Sequence, residues 1–313
     1  MQTAASAGSP AASPRRADAG SLGALVVLAV VWGASVPLTK LGLRDFPPLT
    51  LTALRYLTAS PCFALLLRGR PLPGPRGLLQ AAALGVLGIG VGQVAQTFGV
   101  RATSASVATV ISATIPIFVV VFAAVRLGQP IRARHALGLA MAFAGVVLVA
   151  AGGPRDLLSL LRTPAAAGDA LVLASALAIA LYYVLSVELI AHSSVLTVAA
   201  LTSLAGTGAL VPGALWELHH AAVRLTPLGI AVVAYLALLV TVLGILIWLR
   251  ALRRLPASVA AVLQYLQPIV GVGLSAALFG DPLGAWFGVG TALVLGGIVV
   301  GAAARGEDGL LDS

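Results

Sequence analysis

The chain has 313 residues, of which 59% are hydrophobic and 9% charged, and 19 Lys and Arg stand against 10 Asp and Glu for a formal net charge of +9. A soluble domain carries roughly 25% charged residues, so a mean hydropathy of +1.04 excludes one and marks an integral membrane protein. The basic residues are scattered at the ends of apolar runs rather than gathered in a patch, which speaks for topology signals and against nucleic acid as a partner.

Residues 1–21, rich in Ala, Ser, Gly and Pro with Arg15 and Arg16, have too little apolar content to fold and read as a disordered cytoplasmic tail. Ten apolar runs follow, each approaching the ~20 residues that cross a ~30 Å hydrocarbon core. They cover 22–41, 49–67, 77–98, 104–126 and 135–152, then 168–188, 195–214, 227–249, 257–279 and 284–304. The first leads directly into the next and reads as an uncleaved span, not a removable signal peptide. Pro- and Arg-containing joints separate the runs, the longest between Gly152 and Pro164. This divides the chain into a first five-helix repeat at 22–152, a connecting loop at 153–167, a second repeat at 168–304 and a cytoplasmic tail at 305–313. The lone Cys62 excludes an internal disulfide and a CxxC site.

The division into halves rests on repetition. Ala105-Ser106-Val107-Ala108, Pro116, Gly128, Pro130, Gly138 and Gly145 recur 152 residues later as Ala257-Ser258-Val259-Ala260, Pro268, Gly280, Pro282, Gly290 and Gly297. Ala105–Ala150 and Ala257–Ala302 share 17 identities in 46 positions, where this composition gives about five by chance. Five spans per copy is an odd number, so the second copy enters the membrane from the opposite side. The expected fold is therefore all-α, ten transmembrane helices as two inverted five-helix repeats, a geometry by which secondary carriers alternate access around a midplane site. With the N-terminus inside, twelve Lys and Arg fall in cytoplasmic loops and tails against six outside, which places both termini in the cytoplasm.

Polar groups inside the apolar runs are the candidates for function. Arg55 lies roughly 9 Å along its helix, where a basic side chain costs ~2.5–3.5 kcal/mol and must be solvated; it either snorkels outward or lines the pathway and attracts an anionic group. Lys40 reads as an interfacial anchor. Gln93 and Gln96 share one helix face, as do Gln264 and Gln267, and each pair bonds either to neighbouring helices or to a polar substrate. Their partners across the repeat are Ile245 and Trp248 for the first pair and Ser112 and Ile115 for the second, so the halves differ where one asymmetric substrate would be recognised. Trp32, Tyr182, Tyr183, Tyr235, Trp248 and Tyr265 are the aromatics placed inside the bundle. Pro116 and Pro268 break matching helices and free backbone carbonyls, either as packing kinks or facing a wet cavity. All ten acidic residues fall in tails, loops or span ends, which leaves coupling through a central carboxylate without support.

These residues resemble the EamA-type transporters of the drug/metabolite transporter superfamily. Trp32-Gly33, Lys40, Pro48 and Arg55 are similar to the opening of that family. The recurring block with its small Ala-Ser entry, mid-helix proline and Gly-rich following helix is similar to its repeat. The family's Leu-Gly-Glu turn reads Leu127-Gly128-Gln129 and Phe279-Gly280-Asp281 here, so the glutamate is absent from both copies and Asp281 partly substitutes. The resemblance implies a ten-helix carrier of small organic solutes, commonly amino acids or other metabolites, often moved outward, with the lipid bilayer as surroundings. No cofactor or metal is expected, and whether the chain forms a homodimer stays open. A multidrug-type efflux carrier is the nearest alternative. An intramembrane enzyme would need a nucleophile, an acid/base cluster or a motif such as H-E-x-x-H, none of which the sequence carries, and a non-transporting receptor stays open.

Overall fold

The computed structural model describes residues 19–128, 133–151, 164–252 and 266–303. Both outer tails, most of the connecting loop, and the stretch holding Gln264 and Tyr265 lie outside the described residues. Among the described residues every regular element is helical. α1 (Ala19–Gly33) and α2 (Ser35–Gly42) run on as one unit, followed by α3 (Pro48–Leu67). α4 (Pro75–Gly85), a π-helical stretch π1 (Val86–Gln93) and α5 (Val94–Ala102) form the third unit, and α6 (Ala105–Ser112) with α7 (Ile115–Leu127) the fourth. After α8 (Ala133–Ala151) come the long α9 (Pro164–Ile190) and α10 (Val195–His220). α11 (Pro227–Ala234), a second π-helical stretch π2 (Tyr235–Leu243) and α12 (Gly244–Leu252) are again continuous, and α13 (Leu266–Phe279) and α14 (Ala285–Ala303) complete the described chain.

Seven of the described helical units are long and apolar enough to cross a membrane, and three shorter apolar helices accompany them at 136–149, 266–279 and 285–297. Large apolar side chains such as Val27, Leu79, Val125 and Ile230 stand exposed on the outside of the bundle. That surface suits lipid, where burying a side chain against a helix gains little over burying it in acyl chains, so helix association depends on close van der Waals fit and interhelical hydrogen bonds.

The fit is supplied by glycines. A Cβ on Gly145 of α8 would lie 2.5 Å from the Gly290 carbonyl oxygen of α14, and one on Gly290 would lie 2.8 Å from the Gly145 carbonyl oxygen. Gly297 of α14 meets the Gly138 backbone of α8 just as closely. Gly138 and Gly290 are one repeat apart, as are Gly145 and Gly297, so the contact of α8 with α14 is reciprocal between the matching glycines. Elsewhere Gly99 of α5 rests on Gly168 and Val172 of α9, Gly88 of π1 on the Tyr182 ring, and Gly271 of α13 on Thr109 and the Gly33 carbonyl. Pro37, four residues on, has no N–H to give that carbonyl, so its ordinary α-helical bond is missing. The turns at Gly128 and Gly280, again one repeat apart, both take φ +67°, a left-handed end to α7 and α13 that glycine reaches without steric cost.

One end of the bundle is tied by polar contacts. Glu217 in the last turn of α10 accepts from Thr50 N at 2.7 Å and Thr50 Oγ1 at 2.9 Å, which caps α3. The Asp281 carboxylate accepts from Ser106 N at 2.9 Å and caps α6, the placement the helix dipole favours for an anion. Thr226 Oγ1 donates to Asp45 Oδ2 at 2.5 Å. At the opposite end Arg126 Nε pairs with Glu188 Oε1 at 2.8 Å.

Candidate functional site

The centre of the candidate site is Arg55, half-buried on α3. Its Nε donates to Thr241 Oγ1 at 2.9 Å and its Nη1 to Gln93 Oε1 at 3.2 Å. Gln93 is the last residue of π1 and Thr241 lies in π2, so one guanidinium joins the two π-helical stretches. The Tyr56 ring stands alongside, its centroid 5.3 Å from Cζ, a cation–π distance. No acidic side chain among the described residues pairs with Arg55, and of the five N–H donors an arginine carries, those of Nε and Nη1 are the ones bonded among the described residues. A cation inside a bundle, held only by neutral acceptors, is poised to receive an anionic group.

The backbone around it departs from α-helix for identifiable reasons. In π1 the sequence Val86-Leu87-Gly88-Ile89-Gly90-Val91-Gly92-Gln93 is glycine-rich and has low helix preference. In π2 the Thr241 hydroxyl donates to the carbonyl of Leu236, five residues back, at 2.8 Å. Trp32 Nε1 donates to the Val240 carbonyl of the same stretch at 2.9 Å. π-Helical segments interrupt α-helices mostly at functional positions, and here two of them occur in the third unit of the first half and the corresponding unit of the second.

Trp32 and Trp248 stand with ring centroids 5.9 Å apart, and Gly244 leaves room for the Trp32 indole, which a side chain there would strike. Tyr182 bonds through its hydroxyl to Thr202 Oγ1 at 3.1 Å, and its ring lies 5.4 Å from that of Tyr183. Tyr183, expected inside the bundle, is 52% exposed, its ring meeting that of Tyr182 from the outer side. Gln96 Nε2 donates to Ser112 Oγ at 3.3 Å. Thr52 and Thr97 bond to each other at 2.9 Å, and Thr97 Oγ1 donates to the Gln93 carbonyl at 2.8 Å. The Gln267 carbonyl packs on Gly33, where a Cβ would lie 2.6 Å from it, next to Trp32. The structure thus brings Arg55, Gln93, Thr241 and Tyr56 together, while Tyr183 meets Tyr182 and stands exposed. Trp32 is joined to them through π2, and Gln96 faces the α6–α7 break.

That break, at Ala113 and Thr114, falls just before Pro116, which occupies the first turn of α7. The Thr114 hydroxyl donates to the Ile111 carbonyl at 2.6 Å, answering one carbonyl at the interruption. Pro116 itself is exposed, whereas Pro268 is buried near the start of α13. Lys40 is more than an interfacial anchor: its ammonium donates to the carbonyls of Val100, Arg101 and Thr103 at 2.8, 2.9 and 2.7 Å and closes the C-terminal end of α5. Lys40 also lines, with Leu43, Arg44, Arg101 and Phe279, a cavity of about 210 Å³ at that end. The span-end carboxylates are less solvated than their positions suggested, for Asp169 and Glu217 are both 8% exposed. Thr241 escaped the reading of the sequence; its one signal is a hydroxyl in a strongly apolar run. Among the described residues no group of three His, Cys, Asp or Glu side chains could hold a metal ion.

The arrangement defines a class: a multi-span, all-α membrane protein with a cation, Arg55, half-buried inside its bundle. The chain belongs to the EamA-like transporter family, which matches residues 20–151 and again residues 166–301, and with that it is a secondary membrane transporter of small molecules. It is 29% identical over 268 residues to the uncharacterized inner membrane transporter YedA of Escherichia coli K12, covering 83% of each chain. It is 27% identical over 290 residues to the uncharacterized transporter YetK of Bacillus subtilis, covering 89% of this chain and 86% of the relative. A probable terminal-alkyne amino-acid exporter of Streptantibioticus cattleyicolor is 29% identical over 281 residues, 88% of this chain and 91% of its own. A solved crystal structure matches with a TM-score of 0.60 over 91% of this chain and 99% of that one, at 20% identity, a likeness of fold alone.

Proposed function

We propose that the chain is an exporter of small organic metabolites such as amino acids, working by alternating access across the cytoplasmic membrane with both termini in the cytoplasm. The observation that carries this reading is Arg55: a cation inside the bundle, without an acidic partner among the described residues, bonded at once to Gln93 of π1 and Thr241 of π2. Such a group suits the carboxylate of a small solute, with the Tyr56 ring beside it for the apolar part. The inverted arrangement of the two halves is supported by the reciprocal contact of Gly138 and Gly145 with Gly297 and Gly290. It is supported as well by the matching left-handed turns at Gly128 and Gly280 and by the recurrence of a π-helical stretch in each half. Two such halves supply two pseudo-equivalent packings, which a carrier exchanges. Export of amino acids also agrees with the name of the Streptantibioticus relative. The reading assigns no enzymatic activity.

The test is to compare metabolites between cells lacking and overproducing the protein, then to follow the accumulated solute with purified protein in liposomes. Single cysteines engineered into Cys62→Ser protein are labelled from each side in parallel. Flux of the solute, with cysteines around Arg55 reached alternately from the two sides, is the expected result; accessibility from one side only, under all conditions, refutes alternating access.

A further inference from the structure

The two π-helical stretches share one side chain, and the chemistry of that side chain makes the sharing consequential. Arg55 spends its Nε on the Thr241 hydroxyl at 2.9 Å and its Nη1 on the Gln93 amide oxygen at 3.2 Å. Both acceptors are neutral. A carboxylate forms charge-assisted hydrogen bonds roughly twice as strong, and it takes a guanidinium in a two-point fork. The side-on fork uses Nε with Nη2 and therefore takes the N–H that Thr241 holds. The end-on fork uses Nη1 with Nη2 and draws on the nitrogen bonded to Gln93.

We propose that Arg55 is a switch residue for which a solute carboxylate competes with Gln93 and Thr241, so that carboxylate binding releases π1 and π2. This rests on the reading of the chain as a carrier of small organic solutes. The solute class it names is organic carboxylates, free of any need for an acidic side chain in the protein. A π-helical stretch is a local departure from the α-helix that neighbouring groups must sustain. Loss of the Arg55 bond leaves π2 with the Thr241 bond to Leu236 and the Trp32 bond to Val240, and leaves π1 with the Thr97 bond to the Gln93 carbonyl. One binding event is thereby transmitted to the corresponding unit of both halves, which is what a carrier built from two repeats requires to change its packing in concert.

Hydrogen exchange of purified protein in detergent, resolved to residues 86–93 and 235–243, tests this without any transport measurement. Arg55→Gln is expected to raise exchange about threefold in both stretches, the value of one interhelical hydrogen bond in a membrane protein. Thr241→Val should do so in 235–243 alone, and Gln93→Leu in 86–93 alone. The probe is propionate, against propionamide and sodium chloride at equal ionic strength. Propionate should raise exchange in wild-type protein and leave Arg55→Gln unchanged, while propionamide does nothing. Retained protection of Cys62 against a thiol dye verifies that each variant is folded, and Arg55→Lys, which keeps the charge and loses the fork, replaces Arg55→Gln if that variant unfolds. An Arg55 variant that changes neither stretch or only one overturns the switch, and so does a propionate effect that persists without Arg55 or is absent with it. Exchange behaving as described in a protein that moves no solute would instead overturn the carrier reading and leave the switch standing.

Discussion

Replacing Gly145 by Ala puts the contact between α8 and α14 to a quantitative test. An alanine Cβ at this position would sit 2.5 Å from the Gly290 carbonyl oxygen and 2.8 Å from both Val294 Cγ2 and Val294 N. Ordinary van der Waals contact begins at 3.4 Å, so the helices must part locally by about 0.9 Å, and overpacking of this kind costs about 1–3 kcal/mol. Against it stands the gain of up to ~1 kcal/mol from replacing glycine by alanine within a helix. Gly288, on the same α14, has nothing within 4 Å of its added Cβ and collects the gain alone. The difference between Gly145→Ala and Gly288→Ala thus isolates the packing loss, about 1–3 kcal/mol in favour of Gly288→Ala. Thermal unfolding in detergent, read by a thiol dye on the half-buried Cys62, measures it. Gly290→Ala should resemble Gly145→Ala, and the double variant should lose less than the sum, since the helices need part only once. A Gly145→Ala protein as stable as Gly288→Ala would refute the reasoning.

Lys40→Met removes three hydrogen bonds from the last carbonyls of the α4–α5 unit and should lower the unfolding midpoint by an amount corresponding to about 1–3 kcal/mol, with Lys40→Arg restoring part of it. Gly244→Ala should displace the Trp32 indole and shift its fluorescence, an effect that vanishes if Trp32→Leu is introduced alongside; an unchanged spectrum would mean that the indole does not lie against Gly244. Asp281→Asn keeps the shape of the α6 cap but loses its charge, and should cost about 0.3–1 kcal/mol of stability in low salt and less in high salt; a salt-independent loss would show that the helix dipole plays no part.

Much of the fold was legible because a membrane imposes it. Apolar runs of the right length identify helices with little dependence on packing, and the ends that fall on described residues agree with the elements to within a few residues, apart from α9, α10 and the α4–α5 unit, which run longer because their ends continue beyond the apolar stretch; the start of the run 257–279 lies outside the described residues. Small residues mark close helix contacts at Gly85, Gly88 and Gly92, but Gly284 and Gly288 have nothing within 4 Å of an added Cβ, so a small residue alone does not say which face packs. The π-helical stretches were not legible. π1 combines a glycine-rich sequence with the contacts of Gly88 and Gly92 on Tyr182 and Ile179, and in π2 a hydroxyl answers a carbonyl five residues back; neither is a property of local sequence alone. Arg55 could be singled out by its charge, and Gln93 by its amide, but their meeting depends on the packing of α3 against its neighbours. Thr241 carries no charge and sits in an apolar run, so only the fold reveals it as the second partner of Arg55.

Corresponding helices of the two halves carry different chemistry. Arg55 is the eighth residue of α3, and the eighth residue of α10 is Thr202, which bonds to the Tyr182 hydroxyl. A charged fork in one half is answered by a neutral hydroxyl pair in the other. A perfectly symmetric site would offer a solute two equal cationic positions and no reason to orient. With Arg55 as the cation on one half alone, the proposed carrier would hold a solute bearing one carboxylate in a single preferred orientation. In a carrier that exchanges two packings the backbone can stay nearly symmetric, while side chains on corresponding helices break the symmetry that recognition must lose.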